Sequence, residues 1–161
     1  MVGNALSEKA RSDCKEAMED SRGAFLECHW GCLGLGTCVS SCKFGAIEIN
    51  KYSVAQVLTE KCIGCGLCAR VCPKGLIEMR LPESTILVTC SNEDPGVTAR
   101  KICEVSCIAC RICEKNCPCD AITILENRAI IDEKECVACG MCATKCPRAV
   151  IQDADGIFTT L

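Results

Sequence analysis

The segment CIGCGLCARVCP, residues 62–73, has four cysteines spaced C-x2-C-x2-C-x3-C, and a proline follows the last one. The same spacing and proline return in residues 107–118 and 136–147. Three thiolates at such intervals on a tight loop can reach three irons of one cubane. The fourth cysteine then lies on the following turn and points at a neighbouring cluster. The three segments therefore indicate loops that bind iron–sulfur clusters.

Zinc and disulfides are the two alternatives for so many cysteines. Zinc sites favour two separated C-x2-C pairs, so a third cysteine after x2, a fourth after x3 and a proline have no use in them. A disulfide scaffold needs an oxidising compartment, but residues 1–22 are charged throughout and lack the apolar stretch of a secretion signal. The cysteines are therefore expected to bind metal in a reducing cytoplasm.

Composition narrows the class of protein further. The 161 residues include 20 cysteines but only three Phe, one Tyr and one Trp, so large side chains are not the main source of cohesion. No stretch approaches about 18 uninterrupted apolar residues, which predicts that no segment spans a membrane directly. The net charge of −3 becomes more negative once clusters bind. An acidic carrier is a poor nucleic-acid binder and is expected to dock on basic patches of redox partners.

An irregular segment precedes the three regular ones. CHWGCLGLGTCVSSCK, residues 28–43, has the spacing C-x3-C-x5-C-x3-C and ends in Lys43 instead of proline. The symmetry of paired loops still requires three ligands here and a fourth cysteine for the next loop. We therefore expect Cys28, Cys32 and Cys38 to hold the first cluster.

The paired loops predict four 4Fe–4S clusters, each held by three cysteines of one loop and the fourth cysteine of its partner loop. The four predicted ligand sets are Cys28, Cys32, Cys38 and Cys72; Cys42, Cys62, Cys65 and Cys68; Cys107, Cys110, Cys113 and Cys146; and Cys117, Cys136, Cys139 and Cys142.

The repeats predict an α+β fold of two tandem bicluster ferredoxin-like modules joined by a strand–helix connector. We expect an N-terminal helical segment at 1–23, module one at 24–82, the connector at 83–100 and module two at 101–161. Alternating stretches from Ile47 and Ile122 predict a hairpin in each module. In the connector, residues 84–90 are expected to form a strand, and Asp94 to cap a helix that starts at Pro95. Near the N-terminus, one helical face would carry Leu6, Ala10, Cys14, Ala17 and Met18.

Four cysteines remain outside the ligand sets: Cys14, Cys90, Cys103 and Cys119. Buried thiols that act as small hydrophobic residues are the favoured interpretation. Two alternatives stay open, namely that Cys14 replaces a ligand of the first loop, or that a fifth cluster exists. The pair His29 and Trp30 is expected to shield the first cluster from water.

The chain resembles the B subunits of Rnf complexes, membrane-bound ferredoxin:NAD oxidoreductases that couple electron transfer to ion pumping. The resemblance rests on three segments: CHWGCLGLGTCVSSCKFGAI from Cys28, LVTCSNEDPG from Leu87 and KICEVSCIACRICEKNCP from Lys101. Family members usually begin with a membrane helix and often a further cysteine-rich domain, and neither pattern stands in this sequence. Cys119 occupies a position where the family usually has an apolar residue.

The resemblance implies a low-potential electron relay rather than an enzyme with its own substrate site. Its partners would be a redox donor such as ferredoxin and an acceptor subunit of a larger complex. The chain would then lie at the cytoplasmic face of the membrane, held there by partner subunits. The alternative is a relay subunit of a soluble hydrogenase, formate dehydrogenase or 2-oxoacid oxidoreductase. A structural cluster domain in a nucleic-acid enzyme is disfavoured by the acidic charge.

Overall fold

The structure, a computed structural model, describes residues 13–19 and 28–154. These residues divide into two units. The first comprises residues 13–19 and 32–79, and the second comprises residues 28–31 and 80–154. The module and connector boundaries drawn from the sequence stay a prediction.

The first unit contains three helices and one hairpin: α1 (Cys14–Glu19), α2 (Thr37–Ser41), β1 (Ile47–Ile49), β2 (Ala55–Val57) and α3 (Leu67–Val71). The hairpin predicted after Ile47 is confirmed, with β1 and β2 antiparallel and Ile47 opposite Val57. Asp13 caps α1, because its carboxylate accepts hydrogen bonds from the backbone N–H groups of the second and third helical residues. Both α2 and α3 carry a cysteine of a predicted metal-binding loop.

The second unit contains four strands and three helices: β3 (Ile86–Val88), α4 (Gly96–Ile102), α5 (Ile112–Lys115), β4 (Ile122–Leu125), β5 (Arg128–Ile131), α6 (Met141–Lys145) and β6 (Ile151–Asp153). The hairpin predicted after Ile122 is confirmed as the antiparallel pair β4–β5. Its turn residues, Glu126 and Asn127, both have positive φ, as in the two-residue turns that match the strand twist.

Strand β3 and helix α4 lie in the stretch that the sequence identified as a connector. Strand β3 pairs antiparallel with β6, so this part of the chain is integral to the second unit. Helix α4 begins one residue later than expected: Pro95, not Asp94, is the N-cap, and no side chain caps it. Gly96 is required there because a Cβ at that position would collide with the backbone carbonyl of Ile108.

The apolar core is distributed unequally. In the second unit a buried cluster forms where strands β3 to β6 meet α5 and α6. On α1, Cys14 and Ala17 are buried as expected, but Met18 is 50% exposed, so its assignment to the buried face was wrong. Leu6 and Ala10 lie outside the described residues. Across residues 13–19 and 28–154, the helices are too short or too polar to cross a bilayer.

Candidate metal centres

The backbone repeats the same left-handed conformations around every cysteine loop. Counted from the third cysteine of each loop, positive φ occurs four residues before, two residues before and seven residues after. In the loop of Cys113, these positions are Ala109, Arg111 and Asp120. The second of them is the N-cap of the helix that carries the third cysteine. The irregular first loop follows the same rule around Cys38, so its backbone is built like the other three.

A cavity in the second unit lies between the loop of Cys107 and the turn after α6. It is lined by four cysteines and by apolar side chains that include Ile124, Val150 and Ile151. The empty space, including the part open to solvent, is about 330 Å³. The cysteines are Cys107, Cys110, Cys113 and Cys146. They are the four that the sequence assigns to one cluster, and their binding to iron stays a prediction.

A second cavity, of about 270 Å³ with its open part, lies between the loop of Cys136 and the turn after α5. The predicted ligands that line it are Cys117, Cys136, Cys139 and Cys142. Each cavity therefore combines three cysteines of one loop with the fourth cysteine of the other. This is the crossed arrangement of a two-cluster ferredoxin.

The third cysteine of each loop in the second unit is buried beside other thiols. Burial, and secondarily the neighbouring thiols Cys107, Cys146 and Cys110, raises the pKa of Cys113 to about 11. Burial, with Cys136 and Cys139 nearby, likewise raises the pKa of Cys142 to about 11. Without metal these thiols are therefore neutral at pH 7. Iron must displace their protons, because only the thiolate is a metal ligand.

The two cavities fit a cubane better than a single ion. Among residues 13–19 and 28–154, no three His, Cys, Asp or Glu side chains converge as ligands of one metal ion. A cubane needs a different arrangement, because its four thiolates bind four separate irons around an inorganic core. Two apolar cavities, each with four predicted ligand cysteines on its walls, provide that arrangement.

In the first unit, backbone N–H groups donate hydrogen bonds to the sulfurs of two predicted ligands. The N–H of Gly34 donates to Cys32 Sγ and that of Ala46 donates to Cys42 Sγ, each at 3.4 Å. Such bonds stabilise the thiolate and tune the potential of a bound cluster. The predicted ligands Cys62 and Cys65 are exposed, and Cys68 and Cys72 are partly exposed.

The two cysteines that are alternative ligands for the first cluster, Cys14 and Cys28, lie in different units. Cys14 belongs to the first unit, where its backbone N–H donates to Thr37 Oγ1 at 2.8 Å. Cys28 belongs to the second unit, where Asn92 Nδ2 lies 3.7 Å from its Sγ. The predicted role of Cys28 as a ligand of the first cluster stays a prediction.

Sequence reasoning treated the remaining cysteines as buried, which is wrong for three of them. Cys14 is buried, but Cys90, Cys103 and Cys119 are partly exposed. Cys90 Sγ accepts a hydrogen bond of 3.2 Å from the backbone N–H of Cys107. The Cys119 thiol lies on the wall of the second cavity, and a hydrogen bond with the Val137 backbone lowers its pKa. The cysteine spacing carries no signal for these two contacts.

The aromatic pair stacks edge to face, with the ring centroids of His29 and Trp30 5.9 Å apart. The Trp30 indole nitrogen is buried and has no hydrogen-bond partner among the described residues. Shielding of the first cluster by this pair stays a prediction.

Comparisons with known proteins identify the two halves independently. Two family models, both described as a 4Fe–4S dicluster domain, match residues 28–79 and residues 106–150. Two dicluster domains imply four 4Fe–4S clusters. A solved formate dehydrogenase–heterodisulfide reductase–formylmethanofuran dehydrogenase complex from Methanospirillum hungatei is 21% identical over 76% of this chain and 51% of its own. Its TM-score is 0.31, too low to carry an argument.

Three curated proteins are similar over most of the chain. The B subunit of an ion-translocating oxidoreductase complex from Methanosarcina acetivorans is 42% identical over 76% of this chain and 46% of its own length. The B subunit of the Na(+)-translocating ferredoxin:NAD(+) oxidoreductase complex of Acetobacterium woodii is 44% identical over 74% of this chain and 36% of its own length. The B subunit of the proton-translocating ferredoxin:NAD(+) oxidoreductase complex of Clostridium ljungdahlii is 42% identical over 66% of this chain and 37% of its own length.

The chain spans less than half the length of each of these relatives. The two dicluster domains and the sequence identity to these relatives together establish the family of the chain. The chain belongs to the family of tandem 4Fe–4S dicluster proteins that includes the B subunits of ion-translocating ferredoxin:NAD oxidoreductase complexes.

Proposed function

We propose that this chain relays single electrons through four 4Fe–4S clusters, from a ferredoxin-like donor to a subunit of a larger oxidoreductase complex. The observation that carries the proposal is the pair of cavities in the second unit, each lined by four predicted ligand cysteines from two loops. The relatives are named as subunits of ferredoxin:NAD oxidoreductases, which supports a ferredoxin-like donor.

Within the second unit, the residues around the cavities perform three tasks. The cysteines supply the thiolates, and the apolar side chains of Ile86, Ile122 and Ile151 keep water from one side. The third task is to set the reduction potential. Burial favours the cluster state of lower negative charge, and N–H donors to sulfur oppose that preference. When bound, 4Fe–4S clusters supply one-electron steps at low potential.

The ligand crossing is part of the proposal. Cys146 completes the site of Cys107, Cys110 and Cys113, and Cys117 completes the site of the other loop. A crystal structure of the anaerobic holoprotein is expected to show each of these Sγ atoms about 2.3 Å from an iron, as is usual for thiolates on such metals. Ligation of Cys117 to the cluster of Cys107 would contradict the two-loop arrangement.

A reductive titration tests the relay itself. The purified holoprotein should contain about sixteen irons and take up about four electrons per chain as its visible absorbance bleaches. A Cys146→Ala variant should lose at least one iron and up to about one electron equivalent, while Cys103→Ala, which changes a cysteine outside both cavities, should match the wild type. Intact clusters that accept no electrons would refute the relay.

Co-purification distinguishes the partners. Flavin and membrane subunits recovered with the native chain would support a complex like that of the relatives. Recovery of a hydrogenase, a formate dehydrogenase or a thiamine-dependent enzyme would instead favour the alternative wiring role.

A further inference from the structure

The irregular loop lacks one cysteine relative to the other three, and its backbone register shows which one. Cys38 corresponds to Cys68, Cys113 and Cys142, because the left-handed residues fall at the same distances from all four. The first cysteine of each regular loop lies six residues earlier, which is the position of Cys32. The second lies three residues earlier, and there the chain has Leu35.

Leu35 is 38% exposed, and the cysteines at the equivalent position of the other loops are exposed as well. A leucine cannot bind iron, so the first site needs a thiolate from outside its loop. Cys28 and Cys14 are the two candidates upstream of Cys32.

Cys14 is held against this loop by two features. Its backbone N–H donates to Thr37 Oγ1 at 2.8 Å, and Thr37 directly precedes Cys38. Its side chain is only 9% exposed, so little of it is open to solvent. Asp13 fixes the helix start that places Cys14 there, because its carboxylate caps α1.

The division of cysteines between the units agrees with this placement. The first unit contains eight cysteines, the number that two clusters need, and Cys14 is one of them. They are Cys14, Cys32, Cys38, Cys42, Cys62, Cys65, Cys68 and Cys72. Cys28 belongs to the second unit, whose two regular loops already provide eight ligands.

We propose that Cys14, not Cys28, supplies the missing ligand, so that Cys14, Cys32, Cys38 and the crossed Cys72 hold the first cluster. The assignment rests on the proposed four-cluster function and names the ligands of one of its sites. It makes α1 part of a metal centre rather than a helix that only packs on the module.

The test compares three full-length variants, reconstituted and purified without oxygen. Cys14→Ala should lose between one and four of about sixteen irons and show an altered cluster signal by electron paramagnetic resonance, because one site has three ligands. Cys28→Ala should keep the full iron and sulfide content. Adding Leu35→Cys to Cys14→Ala should restore both the iron content and the wild-type spectrum, because it recreates the regular C-x2-C-x2-C-x3-C loop.

The rescue separates ligation from packing. Iron loss in Cys14→Ala that Leu35→Cys does not repair would make Cys14 a packing residue and overturn the assignment. Full iron content in Cys14→Ala, or iron loss in Cys28→Ala, would overturn it too. The relay proposal fails differently: wild-type protein would hold about sixteen irons but accept no electrons on titration.

Discussion

The two units repeat one backbone design with different residues. Six left-handed positions occur around the cysteine loops of each, and in the first unit all six are glycine, whereas in the second unit five of six are not. The first set is Gly34, Gly36, Gly45, Gly64, Gly66 and Gly75; the second is Ala109, Arg111, Asp120, Ala138, Gly140 and Ala149. Glycine adopts this conformation without a steric penalty, while other residues pay about 1–2 kcal/mol each.

The buried cores account for this difference. Among the described residues, Ile47 is the one buried aliphatic side chain larger than alanine in the first unit, whereas the second buries Ile86, Ile122, Val150 and Ile151. Strained backbone persists where the surrounding packing determines the conformation. The second unit has enough packing to hold alanine and arginine in left-handed turns. The first unit avoids that strain, and cluster binding must supply more of its stability.

Removal of iron should have the largest effect on stability, and the effect should differ between the two units. Chelation under reducing conditions removes the free energy of metal binding, on which such small modules depend. We expect backbone amides of β1 and β2 to lose protection from hydrogen exchange completely, while those of β3 to β6 keep part of theirs. Mass spectrometry of the apoprotein and holoprotein measures this by segment.

Exposure to oxygen, followed by the same measurement, is the matched control, because it destroys clusters without a chelator. Equal protection of both units after iron loss would show that the larger core of the second unit does not stabilise it independently.

Some structural features of the two units can be predicted from the sequence and others cannot. The regular cysteine spacing predicts the three loops and the partner of each fourth cysteine, because it reflects the size of a cubane. The hairpins follow from alternation after Ile47 and Ile122. The left-handed conformation of Ala109 or Ala149 is not visible in sequence, because tertiary packing imposes it. Nor is the hydrogen bond between Cys14 and Thr37, because the two are 23 positions apart and no spacing rule links them.

Gly34→Ala should have the next largest effect. Its φ is +71°, and a Cβ would lie 2.5 Å from the Ser53 carbonyl oxygen, which is backbone and cannot easily move. Strain and collision together should cost about 2–4 kcal/mol. The expected result is a rise of tenfold or more in the rate of cluster bleaching in denaturant, measured without oxygen. An unchanged rate would show that the loop of Cys32 and the β1–β2 turn separate freely.

Gly45→Ala isolates the cost of the conformation without a collision. Gly45 has φ +59°, and no heavy atom lies within 4 Å of a Cβ placed there. The loss should be about 1 kcal/mol, the left-handed penalty less the entropy that alanine removes from the unfolded chain. Bleaching should accelerate less than in Gly34→Ala. If both variants bleach equally fast, then contact with Ser53 is not what distinguishes the two positions.

Ala149→Gly reverses that substitution at the equivalent position of the second unit, seven residues after Cys142. Ala149 has φ +51° and is exposed, so its methyl group contributes little packing. Glycine removes about 1–2 kcal/mol of conformational strain but increases the entropy of the unfolded chain by about 0.4–1 kcal/mol. The net effect should be a gain of about 0.5–1 kcal/mol, measured as slower cluster bleaching in anaerobic denaturant.

The control is Gly75→Ala in the first unit, which is exposed, has φ +62° and no neighbour within 4 Å of a Cβ, and should bleach faster. Opposite signs in the two units would show that the glycines of the first unit relieve a strain that the second unit bears. Faster bleaching of Ala149→Gly would instead mean that its left-handed turn is not strained, and that the difference in glycine content has another origin.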